Sequence, residues 1–224
     1  MPRLPQHLTK GPVGRQQLSR AELSRHQREK ILGPATGVFA KRGYQGTTVD
    51  NIVSAAGIGV GSFYSHFDGK EDCFLAVYDR ILASTQKQVS QRAAYADGWA
   101  RMTYLGLAQL LEIFLAEPLS ARIVLVEVQT VGSAGAPRYN GLMDAAVEWL
   151  RGGRDHYQAA AELPQTYELA AVSGLAFFLH QQLLSGQAEA LEALLAETAQ
   201  MVLEPILGKD EYGRLRREPA ISPS

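Results

Sequence analysis

The sequence predicts an all-α fold of about nine helices, and three observations support this class. Apolar residues recur at three- and four-residue spacing through most of the chain, which is the period of one helix face. Glycine and proline fall between these periodic segments, where helices end. No stretch shows the alternation of apolar and polar residues that is typical of a half-buried β-strand.

Charge is distributed unequally along the chain. Residues 1–70 contain ten Lys/Arg and four Asp/Glu, a net charge of +6, whereas residues 71–224 contain twelve and nineteen, a net charge of −7. A cationic end joined to an acidic remainder is expected when only that end meets phosphate. Residues 1–18 combine proline, glycine and basic side chains, and we expect a flexible basic arm there, either a disordered tail or an arm that touches nucleic acid.

The first helix is predicted to begin at Ser19, where Ser-x-x-Glu has the form of a capping box, and to end at Gly43 in the left-handed conformation. The dipeptide Gly33-Pro34 lies inside it. An interior proline removes a hydrogen bond and clashes with the preceding turn, at a cost of roughly 3 kcal/mol. We therefore expect either a kink at this point or a helix that begins near Pro34.

Two short helices joined by a glycine turn are predicted next. Thr47 pairs with a carboxylate three residues on, at Asp50, which indicates a helix start. Gly57 ends this helix, because glycine enters the left-handed region without penalty. The segment Val60–Phe67 then repeats the spacing of one buried helix face. Two helices joined in this way form a helix-turn-helix.

The rest of the chain is predicted to be helical as far as Leu207. Asp68 is expected to cap a long helix that begins at Lys70, with Glu71 reaching back to the cap. Further helices are expected near 98–117, 119–131, 140–151, 165–185 and 188–207, with 152–164 undecided and the tail after Gly208 frayed. The predicted domains are an arm (1–18), a helix-turn-helix domain (19–69), a larger helical domain (70–208) and a tail (209–224).

The second helix of the motif leaves few side chains free to reach a partner. Phe63 and Phe67 are expected to anchor it to the core. Glycine at position 61 would let a phosphate or base edge approach the backbone closely, and nearby serines can donate hydrogen bonds. Hydroxyl and backbone N–H groups at a helix start, as at Thr47 and Thr48, are suited to holding a phosphate.

The segment from Gly43 to Glu71 resembles the DNA-binding domain of the tetracycline-repressor (TetR) family. The resemblance covers residues 25–75 and rests on Gly43-Tyr44, Thr47-Thr48-Val49, Ile52, Ala55-Ala56-Gly57-Ile58-Gly59-Val60-Gly61-Ser62-Phe63-Tyr64-Ser65-His66-Phe67 and Lys70-Glu71. It implies a homodimer that binds a palindromic double-stranded DNA operator, with a C-terminal helical domain that dimerises and binds a small effector. By position, it implies phosphate contacts from Thr47, Thr48, Tyr64, His66 and Lys70, and base-edge contacts from Val60, Gly61, Ser62 and Ser65.

The last two predicted helices are apolar over more than one face and so need a partner on a second face. The resemblance implies that they pair with their copies in a four-helix bundle, with internal burial in a monomer as the alternative. An apolar or amphipathic effector, not identified by the sequence, would need a mostly apolar pocket with a few polar groups. The candidate lining residues, which are also compatible with ordinary core, are Trp99, Tyr104, Phe114, Glu127, Gln129, Trp149, Phe177 and His180.

Other classes of protein are disfavoured. The chain has no Gly-rich phosphate loop, no Gly-x-Ser-x-Gly elbow and no His-Glu-x-x-His motif, so we expect no enzyme. Cys73 is the single cysteine, and no cofactor or metal site is predicted. No apolar run approaches the ~20 residues of a membrane-spanning helix, and no secretory signal is recognisable, so we expect a cytoplasmic protein.

The function that the sequence favours is therefore ligand-responsive transcriptional regulation, and the resemblance favours repression. Two alternatives remain at this point. One is a DNA-binding protein without sequence preference, and the other is a helical protein-interaction module without an effector.

Overall fold

A computed structural model describes residues 20–185 and 191–217, and every regular element in these residues is helical. The predicted all-α class, with an N-terminal helix-turn-helix and a C-terminal helical domain, is confirmed. The predicted arm (1–18) and the Ser19 cap lie outside the described residues. The α-helices are α1 (Arg20–Arg42), α2 (Val49–Ala56), α3 (Val60–Tyr64), α4 (Lys70–Ala93), α5 (Trp99–Ala116), α6 (Pro118–Leu125), α7 (Ala136–Arg151), α8 (Gln158–Ala161), α9 (Tyr167–Ser185), α10 (Leu191–Leu207) and α11 (Lys209–Arg217).

Helix α1 continues through Pro34, so the alternative of a helix that begins near this residue is wrong. Ile31, Leu32, Ala35 and Phe39 on both sides of the proline are at most 2% exposed. This burial holds both halves of α1 against the same core and offsets the hydrogen bond that Pro34 cannot make.

Two predicted helix caps are wrong by a short distance. Thr48, in extended conformation, is the N-cap of α2, and it forms a capping box with Asn51 instead of the predicted pairing of Thr47 with Asp50. The N-cap of α4 is Gly69, so Asp68 does not cap that helix. At α2 the two adjacent threonines are equally suitable caps, and the folded position of the backbone decides between them. Helix α4 begins without a side-chain cap, and the N–H of Asp68 donates to the carboxylate of Asp72 instead of to that of Glu71.

The helices enclose two hydrophobic cores. The first core lies among α1, α2, α3, the start of α4, α6 and a first 3-10 helix (Glu127–Ala134). The second core lies among α5, α7, α9, α10 and α11. Because Phe74, Val77 and Tyr78 of α4 are fully buried in the first core, α4 ties the helix-turn-helix to the rest of the chain.

Two of the eleven α-helices lie where none was predicted. Helix α8 and a second 3-10 helix (Gly152–Asp155) occupy the undecided segment 152–164, and α11 forms within the tail that was expected to fray. Arg154 organises the first of these regions. Its guanidinium donates to both carboxylate oxygens of Glu168, at 2.6 and 3.2 Å, and to the carbonyl oxygens of Ala160, Leu163 and Pro164. None of the helices in the described part of the chain is long and apolar enough to cross a membrane.

Candidate nucleic-acid interface

Helices α2 and α3 and the turn between them form the predicted helix-turn-helix. Gly57 ends α2 at φ 65°, in the left-handed region, as predicted. The N–H of Ile58 then donates to the carbonyl of Val53 at 3.1 Å, which closes the turn before Gly59 starts α3. The tight connection fixes α3 against α2.

One face of α3 is anchored in the first core. Phe63 is 0% exposed and Phe67, just beyond the helix, is 1% exposed. Their rings lie 5.3 Å apart between centroids, and the ring of Tyr64 meets Phe63 at 5.4 Å in an edge-on arrangement. The predicted roles of Phe63 and Phe67 as anchors are confirmed.

The opposite face of α3 is open to solvent. Val60 is 45% exposed and Tyr64 55% exposed, so neither side chain is held in the core below α3. A Cβ added at Gly61 would meet no atom within 4 Å, so internal packing does not require glycine there. The predicted residues that share this exposed surface are Val60, Gly61, Ser62, Tyr64 and Ser65.

The two threonines at the start of α2 have different environments. Thr47 is 1% exposed, and its hydroxyl donates to the carbonyl of Gly43 at 2.7 Å. Thr48 is exposed, and its hydroxyl oxygen accepts the N–H of Asn51 at 3.2 Å. Thr48 therefore presents its hydroxyl to solvent, whereas the Thr47 hydroxyl points inward to the turn after α1.

Lys70 and His66, the remaining predicted phosphate contacts, are both half-buried. The ammonium group of Lys70 donates to the carbonyl oxygen of Tyr44 at 2.9 Å and lies 4.2 Å from the centroid of the Tyr44 ring. Burial and the charge of Glu71 raise the pKa of the Tyr44 hydroxyl. Tyr44 belongs to the motif that carries the resemblance, but no residue pattern singled it out as a contact of Lys70.

The eight residues predicted to line an effector pocket occupy several different environments. Trp99, Tyr104 and Phe114 pack in or against the second core, and His180 is half-buried on α9. Trp149 and Phe177 are 47% and 66% exposed. The indole N–H of Trp99 donates to the carbonyl oxygen of Trp149 at 3.2 Å, so the structure brings these two together.

The two remaining pocket candidates lie near the helix-turn-helix. Glu127 is buried at the first 3-10 helix and contacts the turn after α1, and Gln129 is exposed. A separate cleft of about 300 Å³ lies among α1, α4, α5 and α6, and it is lined by none of the eight candidates. Its polar lining includes Thr36, Arg80, Gln88 and Glu117. Within the described ranges, no group of three His, Cys, Asp or Glu side chains could hold a metal ion.

Cys73 is fully buried in the first core. Burial and the charge of Asp72 raise the pKa of its thiol to about 12, despite the opposing charge of Arg28. The thiol is therefore protonated at neutral pH, and the side chain serves as a small apolar core residue.

Comparison with known proteins relates the chain to bacterial regulators. Residues 31–77 match the family model described as bacterial regulatory proteins, tetR family. The HTH-type transcriptional repressor KstR2 of Rhodococcus jostii (strain RHA1) is 51% identical over 56 residues, which are 25% of this chain and 26% of that protein. The chain spans between 22% and 38% of the length of the curated relatives that it matches.

Solved structures share the fold over most of the chain. The fatty acid degradation regulator FadR from Bacillus halodurans superposes with a TM-score of 0.68 at 18% identity, covering 88% of this chain and 97% of that one. FadR from Bacillus subtilis, solved in complex with stearoyl-CoA, gives a TM-score of 0.65 at 16% identity, covering 78% and 97%. The helix-turn-helix of the chain thus lies within residues 31–77, the segment that matches the model of the tetR family of bacterial regulatory proteins.

Proposed function

We propose that this chain is a transcriptional repressor that binds a palindromic DNA operator as a homodimer. The observation that carries the proposal is the division of α3 into two faces, one anchored by Phe63 and one exposing Val60, Ser62 and Tyr64. A helix fixed in this way can enter the major groove of DNA and present its outer side chains to base edges. Repression is supported by the name of the relative KstR2.

The proposed dimer interface is the exposed face of α9 with the adjoining part of α10. Phe177 and Leu184 on α9 are 66% and 59% exposed, and Met201 on α10 is 43% exposed. Between the helices, the Tyr167 hydroxyl donates to the carbonyl oxygens of Met201 and Val202 at 3.0 and 3.1 Å, so the start of α9 lies beside the end of α10. Pairing with a second copy would bury these side chains in a four-helix bundle.

We also propose that a small apolar or amphipathic effector releases the operator, in the cytoplasm and without catalysis. The fold neighbour FadR from Bacillus subtilis was solved with stearoyl-CoA, an amphipathic molecule, which supports this class of effector. The effector must favour the conformation that does not bind DNA, because a ligand with equal affinity for both shifts nothing. Tilting of α4, which is buried in the first core at its start and packs along α5, would change the separation of the two α3 helices.

The proposal is tested by measuring the affinity of the protein for fluorescently labelled DNA duplexes. The duplexes are taken from the DNA that flanks the protein's own gene, and binding is followed by fluorescence anisotropy at several salt concentrations. A sequence-specific regulator binds one duplex much more tightly than random DNA, and the affinity falls steeply with salt because phosphate counterions are released. Equal affinity for all duplexes would instead indicate a DNA-binding protein without sequence preference. No binding at all would indicate a protein-interaction module.

Two substitutions separate the proposed contacts on the same duplexes. Ser62→Ala should change the preference among duplexes that differ at one base pair, by about 1–3 kcal/mol. Lys70→Met should weaken binding to all of them alike and lower the salt slope by about 1. Ser90→Ala and Lys87→Met, at exposed positions of α4, are the matched controls. The reverse pattern would refute the assignment of base and phosphate contacts.

A further inference from the structure

The turn between α1 and α2 is bound to the C-terminal domain by the first 3-10 helix. The backbone N–H of Tyr44 donates to Oε2 of Glu127 at 2.8 Å. The side-chain amide of Gln45 donates to the carbonyl oxygen of Thr130 at 2.9 Å. The Thr130 hydroxyl donates in turn to the carbonyl oxygen of Glu127 at 2.7 Å. We refer to these contacts between residues 44–45 and 127–130 as the turn clamp.

The carboxylate at the centre of the turn clamp is buried and fully engaged. The Glu127 side chain is only 7% exposed. Oε2 accepts the Tyr44 N–H, and Oε1 accepts the guanidinium Nε–H of Arg122 at 3.0 Å. A buried carboxylate is costly unless its charge and its lone pairs find partners, and both requirements are met here. An apolar side chain would fill the space at less cost but could not hold the Tyr44 amide.

The turn itself is shaped to admit this carboxylate. Gly43 has φ 70°, in the left-handed region, and a Cβ at this position would lie 2.9 Å from Oε2 of Glu127. Glycine is therefore needed here both for the backbone conformation and for the close approach of Glu127. The backbone just after α1 and the carboxylate of Glu127 therefore pack directly against each other.

A second contact holds the other side of the same residue. The carbonyl oxygen of Tyr44 accepts the Lys70 ammonium at 2.9 Å, and the Tyr44 ring packs 5.2 Å from Phe74 between centroids. The N–H and C=O groups of Tyr44 are thus bound by different elements, the first 3-10 helix and α4. Because α2 follows the turn directly, fixing Tyr44 fixes the angle at which α2 and α3 leave the C-terminal domain.

We infer that Glu127 is a positioning residue that sets the orientation of the helix-turn-helix and, through it, the separation of the two α3 helices in the dimer. It acts through the Tyr44 amide. The inference rests on the proposed function, because the separation matters only for a dimer on DNA. Dimeric helix-turn-helix proteins bind half-sites about one helical turn apart, near 34–36 Å, so a fixed orientation selects one spacing.

The experiment measures spacing selectivity. The tightest duplex selected from random sequences is compared with versions in which one base pair is added or removed between the half-sites. Glu127→Ala should reduce the ratio of affinities for the original and altered spacings by about 2- to 30-fold. The reason is that a helix-turn-helix whose orientation is no longer fixed can adapt to either spacing. Glu127→Gln keeps an acceptor for the Tyr44 N–H and should restore most of the ratio. Glu148→Gln, at an exposed glutamate of α7, is the control.

Hydrogen exchange gives a readout that does not depend on DNA. In Glu127→Ala the Tyr44 amide should exchange at least about tenfold faster, whereas the Ile52 amide, which donates to Thr48 within α2, should keep its rate. If Glu127→Ala fails to fold, Gln45→Ala removes an exposed contact of the turn clamp and should shift both readouts in the same direction.

Three outcomes would overturn the inference. One is an equal loss of affinity at every spacing, with the ratio unchanged. The second is equal acceleration of the Tyr44 and Ile52 amides, and the third is a Gln45→Ala variant with wild-type values in both readouts. Failure of the wild-type chain to select any duplex would refute the proposed function instead. In that case the exchange rate of the Tyr44 amide would still test whether Glu127 holds this amide in the turn clamp.

Discussion

Phe63 and Tyr64 are neighbours in sequence with opposite environments. The first is 0% exposed in the core below α3, and the second is 55% exposed on its outer face. Phe63 thus contributes to the core, and the DNA contact that we propose falls to its exposed neighbour Tyr64. Phe63→Ala should lower the free energy of unfolding by about 3–5 kcal/mol through loss of buried area and creation of a cavity. Tyr64→Ala should change it little, since exposed substitutions have small effects.

Guanidinium-induced unfolding of both variants, monitored by circular dichroism, tests these two predicted changes in the free energy of unfolding. Operator binding should be lost in Tyr64→Ala although its midpoint of unfolding stays near that of the wild type. Equal destabilisation by the two substitutions would contradict the division of α3 into an anchored and an exposed face.

Glu168 is a fully buried carboxylate at the base of α9. Burial raises its pKa, but the hydrogen bonds from Arg154 and from the backbone N–H of Glu168, together with the charges of Arg154 and Arg151, outweigh this effect and hold the pKa below its ordinary value. A group whose pKa is lowered by folding stabilises the protein above its unfolded pKa, about 4.3 for glutamate, and this contribution is lost as the pH falls through the folded value.

The pH dependence of Glu168→Gln tests this account. The variant should be less stable than the wild type between pH 5 and 8. The difference in free energy of unfolding should narrow as the pH falls below about 4. Denaturant titrations across this range measure it, and Glu162→Gln, at an exposed glutamate of the same region, controls for the loss of one negative charge. A difference that stays constant down to pH 2 would refute the role of the charged form.

The sequence predicted which residue types occur at the interface better than it predicted their orientation. The helical period predicted one buried face through Val60, Phe63, Tyr64 and Phe67. Only Phe63 and Phe67 are buried, whereas Val60 and Tyr64 are 45% and 55% exposed, because α3 contacts the core on a narrow side. The sequence pattern therefore did not separate the anchors from the exposed positions by period alone. It could not decide between Thr47 and Thr48, which are adjacent and equally able to cap a helix. The Thr47 hydroxyl is used by the carbonyl of Gly43, a contact that depends on the folded turn.

At the scale of elements, α11 is the largest difference from the sequence prediction. Its nine residues are mostly charged, and only Tyr212 and Leu215 provide an apolar stripe. Such a short stripe gives little periodic signal, so α11 could not be recognised before its packing was known. Tyr212 and Leu215 are 3% and 4% exposed and complete the second core beside α10.

Substitution within α11 tests whether this helix belongs to the fold. Leu215→Ala should lower the free energy of unfolding by about 2–5 kcal/mol, because it removes a buried side chain from a packed core. Arg214→Ala, one residue away with a side chain 67% exposed, should leave the midpoint of thermal unfolding almost unchanged. Identical melting of the two variants and the wild type would show that α11 does not contribute to stability.

The long helices were predicted well and the connections between them poorly. Helices α4 and α5 carry sustained apolar periodicity. Helix α4 begins at Lys70 as predicted, and each end of α5 lies one residue inside the predicted range 98–117. The first 3-10 helix falls where a helix end and a loop were predicted, and its position places Glu127 against the turn after α1. Its arrangement depends on contacts with the turn after α1, which no local pattern encodes.

At the scale of the whole molecule, α4 and the turn clamp join the helix-turn-helix domain, which lies in the cationic part of the sequence (residues 1–70), to the later helices, which lie in the acidic part (residues 71–224). The exposed helix α3 lies in the part of the sequence with a net charge of +6, whereas the exposed apolar side chains Phe177, Leu184 and Met201 lie on α9 and α10. In the proposed dimer each helix-turn-helix domain would bind one half-site, so tight binding to an operator would require the later helices to bring two such domains together. The face of α9 around Phe177 is therefore as important for the proposed function as the surface of α3.

Phe177→Asp tests this dependence, because two like charges would face each other across a symmetric interface. The variant should be monomeric in analytical ultracentrifugation at concentrations where the wild type is a dimer. Its affinity for a duplex with two half-sites should fall by about 10²-fold or more, toward the value for a single half-site. Tyr95→Asp, which changes a 61% exposed aromatic residue in the loop between α4 and α5, should alter neither property. A Phe177→Asp protein that remains dimeric would move the interface away from α9.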